Sequence, residues 1–188
     1  MAKLIYSAMM SLDGYIADET GNFDWAVPDR EVHTFVNDLE RQHGTYVYGR
    51  RMYEVMAFWE DEAAREAEPE YIQEFAALWR EADKIVYSKS LPATKTARTR
   101  LEREFNADQV RRLKTEVVRD VCIGGPTLAA HAFKAGLVDE CHFFVAPASV
   151  GADTAALARD FRLRLEPMDQ RSFRNGMVHL HYLARPWE

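Results

Sequence analysis

The stretch that decides the fold reads Asp120-Val121-Cys122-Ile123-Gly124-Gly125-Pro126-Thr127-Leu128. It runs on through Gly136-Leu137-Val138-Asp139-Glu140-Cys141-His142-Phe143-Phe144-Val145 to Pro147. Val121, Cys122 and Ile123 form the short apolar run of a fully buried strand. Gly124 and Gly125 let the backbone bend tightly and approach a ligand closely. Pro126 suits a first helical turn, where its missing N–H costs nothing. Gly136 suits the left-handed position past a helix end. A strand feeding a helix through glycines is either a plain tight turn or an anion site, because free amides and the helix dipole point the same way.

Working towards the N-terminus, Lys84 to Tyr87 and Thr45 to Tyr48 are further short strands, and Leu4 to Met10 is another. Between them, Pro28 opens a helix with Asp29 and Glu31 in its first turn. Val32, Phe35, Val36 and Leu39 share one face of it, and Gly44 is the expected stop. Pro69 opens a second helix with Tyr71, Phe75, Leu78, Trp79 and Ala82 as its buried stripe, while Trp59 to Ala67 reads as a solvated helix or loop. Thr99 and Leu101 sit in a short half-exposed strand, and Asn106 or Asp108 caps a helix through Val110, Leu113 and Val117. Beyond Pro147, Asn175-Gly176 lies between two strand-like runs, a strong hairpin signal. Strands alternating with helices and closed by a hairpin predict an α/β fold with a mainly parallel central sheet and an antiparallel C-terminal hairpin. One domain over residues 1–188 is expected.

The 188 residues are 47% hydrophobic and 29% charged, with net charge −6, which argues against a nucleic-acid partner. Charge is uneven, acidic from Glu60 to Asp83 and mostly basic from Lys95 to Arg119, so a local basic face remains open. Cys122 and Cys141 read as buried, inert thiols of a reducing compartment. The N-terminus lacks the apolar core of a secretory signal, and no run is long enough to cross a membrane. A cytoplasmic protein is expected. His179 and His181 share a strand face, but two ligands do not make a metal site and none is expected.

Ligands on open α/β sheets bind beyond the carboxyl ends of the strands. Three such ends carry suggestive loops: Gly49-Arg50-Arg51, Ser88-Lys89-Ser90 and Gly124-Gly125-Pro126. Glycines and helix-start amides suit a pyrophosphate, and paired guanidinium groups hold a terminal phosphate bidentately. The set suits a phosphorylated dinucleotide, yet no G-x-G-x-x-G occurs.

Three motifs, in order along nearly the whole chain, resemble the dihydrofolate-reductase-like superfamily. They are Ser11-Leu12-Asp13-Gly14-Tyr15-Ile16-Ala17, Gly49-Arg50-Arg51-Met52-Tyr53-Glu54, and Gly124-Gly125-Pro126 with Gly136-Leu137-Val138-Asp139-Glu140. The resemblance is nearest to the C-terminal reductase domain of the riboflavin-biosynthesis deaminase–reductase. It implies the three-layer fold of that superfamily and NADPH as cofactor, reducing a C=N or C=O carbon of a small heterocycle or ribosylamino-pyrimidine. It places Gly49, Arg50 and Arg51 with Ser88 and Lys89 at the adenosine 2′-phosphate. Gly124, Gly125 and Pro126, with the amides of Thr127 and Leu128, fall at the pyrophosphate. Met9, Ile16 and Ala17 line the nicotinamide slot, beneath a mobile flap from Gly14 to Trp25. Asp13 or water supplies the proton, and Trp25, Asp29 and His33 fall on the substrate side. A small-molecule substrate and a homodimer are also implied.

Departures from the pattern are Met52 in place of a usual Thr, Pro126 removing one amide, and Ala129 in place of a cofactor-contacting Tyr. Arg30 stands where a folate reductase has an acid. A pteridine or folate reductase and a non-catalytic nucleotide-binding protein are the alternatives.

Overall fold

The computed structural model describes residues 1–63, 66–158 and 160–187. The Cys122 run is β5 (Asp120–Gly124), and its two flanks show why it is buried: β2 (His43–Gly49) pairs with it on one side and β1 (Leu4–Ser11) on the other, both in parallel. Outwards from β2 come β3 (Asp83–Tyr87) and β4 (Thr99–Glu102). Outwards from β1 come β6 (Glu140–Ala146), β8 (Val178–Pro186) and β7 (Leu163–Ser172). The eight strands form one sheet in the order β4-β3-β2-β5-β1-β6-β8-β7. All pairings from β4 to β6 are parallel, and β8 and β7 are antiparallel. The hairpin turns at Asn175-Gly176, where Gly176 takes a positive φ of 88°.

Helices cover both faces, giving three layers. On one face α1 (Arg30–Glu40), α2 (Arg50–Met56) and α3 (Glu70–Glu81) bury Val32, Val36, Tyr53, Phe75 and Trp79 against Tyr46, Tyr48, Val86 and Phe144. On the other, α4 (Ala107–Glu116) and α5 (Pro126–Lys134) bury Val110, Leu128, Ala132 and Phe133 against Leu4, Tyr6, Val47 and Ile123. Cys122 and Cys141 are free and buried. Among the described residues no helix is long and apolar enough to cross a membrane.

Local chemistry explains the boundaries. Asn106, not Asp108, caps α4, accepting the amides of Asp108 at 2.9 Å and Gln109 at 3.1 Å. Helix α1 begins at Arg30, because the Asp29 carboxylate accepts the Val32 amide at 3.0 Å and so stands outside as the cap. Gly44 is not the helix stop expected from sequence; it lies within β2 at a register shift. A Cβ there would stand 2.8 Å from Arg119 Cβ, so close approach of another segment explains the glycine. The acidic stretch has a 3-10 turn at Ala57–Glu60 and no α-helix among the described residues up to Pro69; Ala64 and Arg65 lie outside them.

Candidate active site

Because β3, β2 and β5 are adjacent and parallel, their carboxyl ends bring three loops side by side: Ser88-Lys89-Ser90, Gly49-Arg50-Arg51 and Gly124-Gly125-Pro126. Contacts join them. Arg50 Nη1 donates to Ser90 Oγ at 3.0 Å, and Arg50 Nε pairs with Glu54 at 2.7 Å. A Cβ added to Gly124 would meet the Tyr48 ring at 3.0 Å and Met52 Cε at 3.3 Å; one on Gly125 would lie 3.4 Å from Met52 Cβ. Gly125 has φ +89° and is the N-cap of α5, with Pro126 in the first turn. The strand, the glycine bend and the helix start are therefore where the sequence put them. Thr127 is exposed and Leu128 buried, and helix geometry leaves their amides without an intrahelical partner. Close packing of Tyr48 and Met52 accounts for the buried Gly124, whereas half-buried Gly125 and the free amides after it leave the positive end of α5 where a pyrophosphate would lie.

Not every predicted group faces this hollow freely. Lys89 is 79% exposed and paired with Glu104 at 3.0 Å. The Ser88 hydroxyl accepts the amides of Ser90 at 3.3 Å and Leu91 at 3.0 Å, which shapes its own turn. Arg103 clamps that turn by donating to the carbonyls of Ser88 at 3.3 Å and Leu91 at 2.6 Å. Arg50 and Arg51 are exposed at the start of α2.

Met9 lies near the end of β1, opposite Phe144, and packs half-buried against the same core cluster as Trp25 and Met52. The flap departs from expectation. Its first part is bound rather than loose, because Tyr15 bridges Ala155, Ile16 N donates to Thr154 O at 3.0 Å, and Ala156 N donates to Gly14 O at 2.8 Å. Ile16 and Ala17 are half-buried there. The remainder is folded on itself: Asp18 accepts from Thr20 and Asn22, and Trp25 Nε1 donates to Asn22 O at 3.2 Å.

The structure gives Asp13 a different task from proton donation. Its carboxylate accepts the Ser11 hydroxyl at 2.5 Å, the Ser149 hydroxyl at 2.9 Å, and the amides of Val150 at 3.1 Å and Gly151 at 2.9 Å. The Ser11 hydroxyl and then the Gly151 amide hold its carboxyl far below the ordinary carboxylate range. An ionised group with filled acceptors has no proton to give at neutral pH; it anchors the 149–151 loop. Sequence reasoning missed this partner loop, whose only local signal is its small residues after Pro147.

On the substrate side, Asp29 is occupied as the α1 cap. His33 is buried among the rings of Trp59, Tyr71 and Phe75, at 6.3, 5.2 and 5.5 Å between centroids, and burial lowers its pKa. Trp25 is half-buried in a 3-10 turn at Asp24–Ala26. A separate cleft of about 630 Å³ lies against α1 and α3, lined among others by Arg30, Thr34, Glu70, Tyr71 and Glu74. It includes none of the strand-end loops, and its acidic wall repels a nucleotide phosphate.

Comparison with known proteins agrees with the fold. The family model of the RibD C-terminal domain matches residues 2–179. The uncharacterized protein YyaP of Bacillus subtilis (strain 168) is 25% identical over 185 residues, covering 96% of this chain and 94% of its own. A Shewanella sp. PV-4 structure, provisionally named a riboflavin biosynthesis protein, superposes with TM-score 0.74 at 20% identity, over 98% and 99% of the two chains. The Thermotoga maritima deaminase/5-amino-6-(5-phosphoribosylamino)uracil reductase gives 0.66 at 13%, over 98% of this chain and 57% of that one. Dihydrofolate reductase from Enterococcus faecalis, complexed with NADP(H), gives 0.61 at 14%, over 97% and 96%. The fold is dihydrofolate-reductase-like.

Proposed function

We infer the function from one premise: this chain belongs to the RibD C-terminal domain family, whose model spans residues 2–179. We propose that it is a reductase with NADPH as cofactor, acting on a C=N or C=O carbon of a small heterocyclic or ribosylamino-pyrimidine substrate. The observation that carries the reading is the joining of the three strand-end loops, with Arg50 reaching Ser90 and Gly124 packed against Tyr48 and Met52. When bound, NADPH supplies the hydride. Gly124, Gly125 and the amides of Thr127 and Leu128 hold its pyrophosphate, and Arg50 and Arg51 hold the 2′-phosphate, with Gly49, Ser88 and Pro126 shaping the loops around them. Lys89 contributes less than expected, since Glu104 already neutralises it. Met9, Ile16 and Ala17 wall the nicotinamide slot, and the flap closed by Trp25 keeps water out. The proton comes from water, because Asp13 is ionised and fully engaged.

Titration of NADPH and NADH against tryptophan fluorescence tests the cofactor. Saturable binding with NADPH preferred is the expected result, and no binding of either sinks the reading. If Arg50→Ala with Arg51→Ala leaves the preference intact, the 2′-phosphate assignment fails. Two buried, unpaired cysteines support a reducing, cytoplasmic setting. A homodimer of single-domain protomers completes the proposal, and a monomeric mass by light scattering contradicts it.

One observation favours a second reading. Asp13 and Asp29 are both tied into structural hydrogen bonds, the second as a helix cap, so neither is free to protonate a substrate. A nucleotide-binding protein without catalysis binds NADPH but oxidises it with no substrate, pteridines and dihydrofolate included.

A further inference from the structure

Away from the strand ends, β6 and β8 place four ligand-type side chains on one sheet face. Glu140 and His142 are two apart on β6, and His179 and His181 are two apart on β8, with His142 directly opposite His181. Glu140, His142 and His179 are buried, and His181, with a side chain 21% exposed, forms the opening to solvent. The set lies at the amino end of β6, whereas the loops assigned to the cofactor lie at the carboxyl ends of β2, β3 and β5, which run parallel to it in the same sheet.

The distances converge. His181 Nε2 is 3.1 Å from Glu140 Oε2, and His142 Nε2 is 4.0 Å from the same oxygen. One ligand atom from each of Glu140, His142 and His181 lies within 4.8 Å of the others. Two donors about 2.0–2.2 Å from a tetrahedral zinc ion sit roughly 3.4 Å apart, between the two observed spacings. The rings of His142 and His181 are stacked, with centroids 4.2 Å apart and planes 16° from parallel. Their lone pairs meet on one ion only after a turn about χ2, which is a soft torsion in histidine.

Both inner ligands are held from behind. His142 Nδ1 and His179 Nε2 are 2.9 Å apart and share a hydrogen bond, which turns His142 Nε2 towards Glu140. Lys3 Nζ pairs with Glu140 Oε1 at 2.6 Å and leaves Oε2 to the histidines. Such support orients ligands in metal sites, although the Lys3 charge works against a dication.

We propose that Glu140, His142 and His181 bind one divalent transition-metal ion of the zinc type, with His179 and Lys3 as supporting partners. The ion pins the C-terminal hairpin to β6 and takes no part in hydride transfer, so the site stands or falls independently of the reductase reading. A second cluster, Glu40, His43 and Cys122, is fully buried. Its Glu40 oxygen already takes His43 Nδ1 and the Tyr46 hydroxyl, both at 2.8 Å.

Cobalt(II) titration of the tag-free full chain after chelator treatment, read by visible absorption, tests the site. The expected result is one saturable equivalent that zinc displaces, lost in His181→Ala and weakened about 10- to 100-fold in His179→Phe. Zinc also raises the melting temperature of the wild type but not of His181→Ala, a partly exposed position chosen to keep the variant folded. No saturable absorption, unchanged binding in His181→Ala, or a sulfur-to-cobalt charge-transfer band that places the ion at Cys122 overturns the proposal.

Discussion

Asp13 Oδ2 accepts the Gly151 amide at 2.9 Å, joining the turn after the first strand to a loop near the end of the chain. The same oxygen takes Ser149 Oγ, and the other carboxylate oxygen takes Ser11. Asp13 is thus a positioning residue for the flap. Asp13→Asn keeps the shape, loses the charge, and forces an NH₂ against donors. We expect kcat to fall about 10- to 100-fold with NADPH affinity nearly unchanged. Amide exchange at Val150 and Gly151 should speed up in the variant; unchanged protection there contradicts the anchoring role.

The acid response of the flap follows from two carboxylates. Asp13 and Asp18 both have folded-state pKa values below the ordinary 3.8, Asp13 chiefly through Ser11 and Asp18 chiefly through Thr20. A depressed folded pKa contributes stability above the unfolded value and loses it as pH falls through the folded one. The flap anchors therefore hold throughout the neutral range and release only below 3.8. Carbon-13 titration of the Asp13 carboxyl should give a midpoint under 3.8; one at or above it removes the anchor.

Gly125→Ala tests the pyrophosphate cradle. At φ +89° an alanine is strained, and its Cβ would crowd Met52 at 3.4 Å. Destabilisation of about 1–3 kcal/mol and at least a tenfold loss of NADPH affinity are expected. Gly136→Ala is the control: it too has positive φ, +63°, but a Cβ there meets nothing within 4 Å. Calorimetry on both variants should show strain in each and a cofactor defect only in the first.

Asp29→Ala separates a cap from a substrate contact. Losing the bond to the Val32 amide should cost about 1 kcal/mol of stability. Turnover at saturating substrate and KM should both stay near wild type. A large rise in KM restores Asp29 to the substrate side.

Elements whose causes are local could be read from the chain. Gly125 and Pro126 mark a bend and a helix start, the cap of α4 is narrowed to Asn106 or Asp108, of which Asn106 serves, and Asn175-Gly176 marks the hairpin. What escaped depends on register between distant strands. Nothing near His181 announces that Glu140 and His142 will stand beside it, since that needs the β6–β8 pairing. The Lys89–Glu104 pair and the Asp13–Gly151 bond likewise exist only once β4 and the later loop are in place. His33 lies one residue on from Val32, off the helix face predicted to be apolar, and three aromatic rings surround it because α3 packs there, which helix periodicity alone does not disclose.

The central position of β1 has a consequence for synthesis. Its neighbours, β5 and β6, begin at Asp120 and Glu140, so β1 has no strand partner until those later segments have been made. Before β5, pairing is open to β2 with β3 and to β3 with β4. Sheet closure is therefore late and rests on contacts of high sequence separation, which slows folding and prolongs the exposure of apolar strands. Ribosome-stalled chains ending before Asp120 should remain protease-sensitive throughout Leu4 to Ser11 and become protected there only once β5 and β6 have emerged.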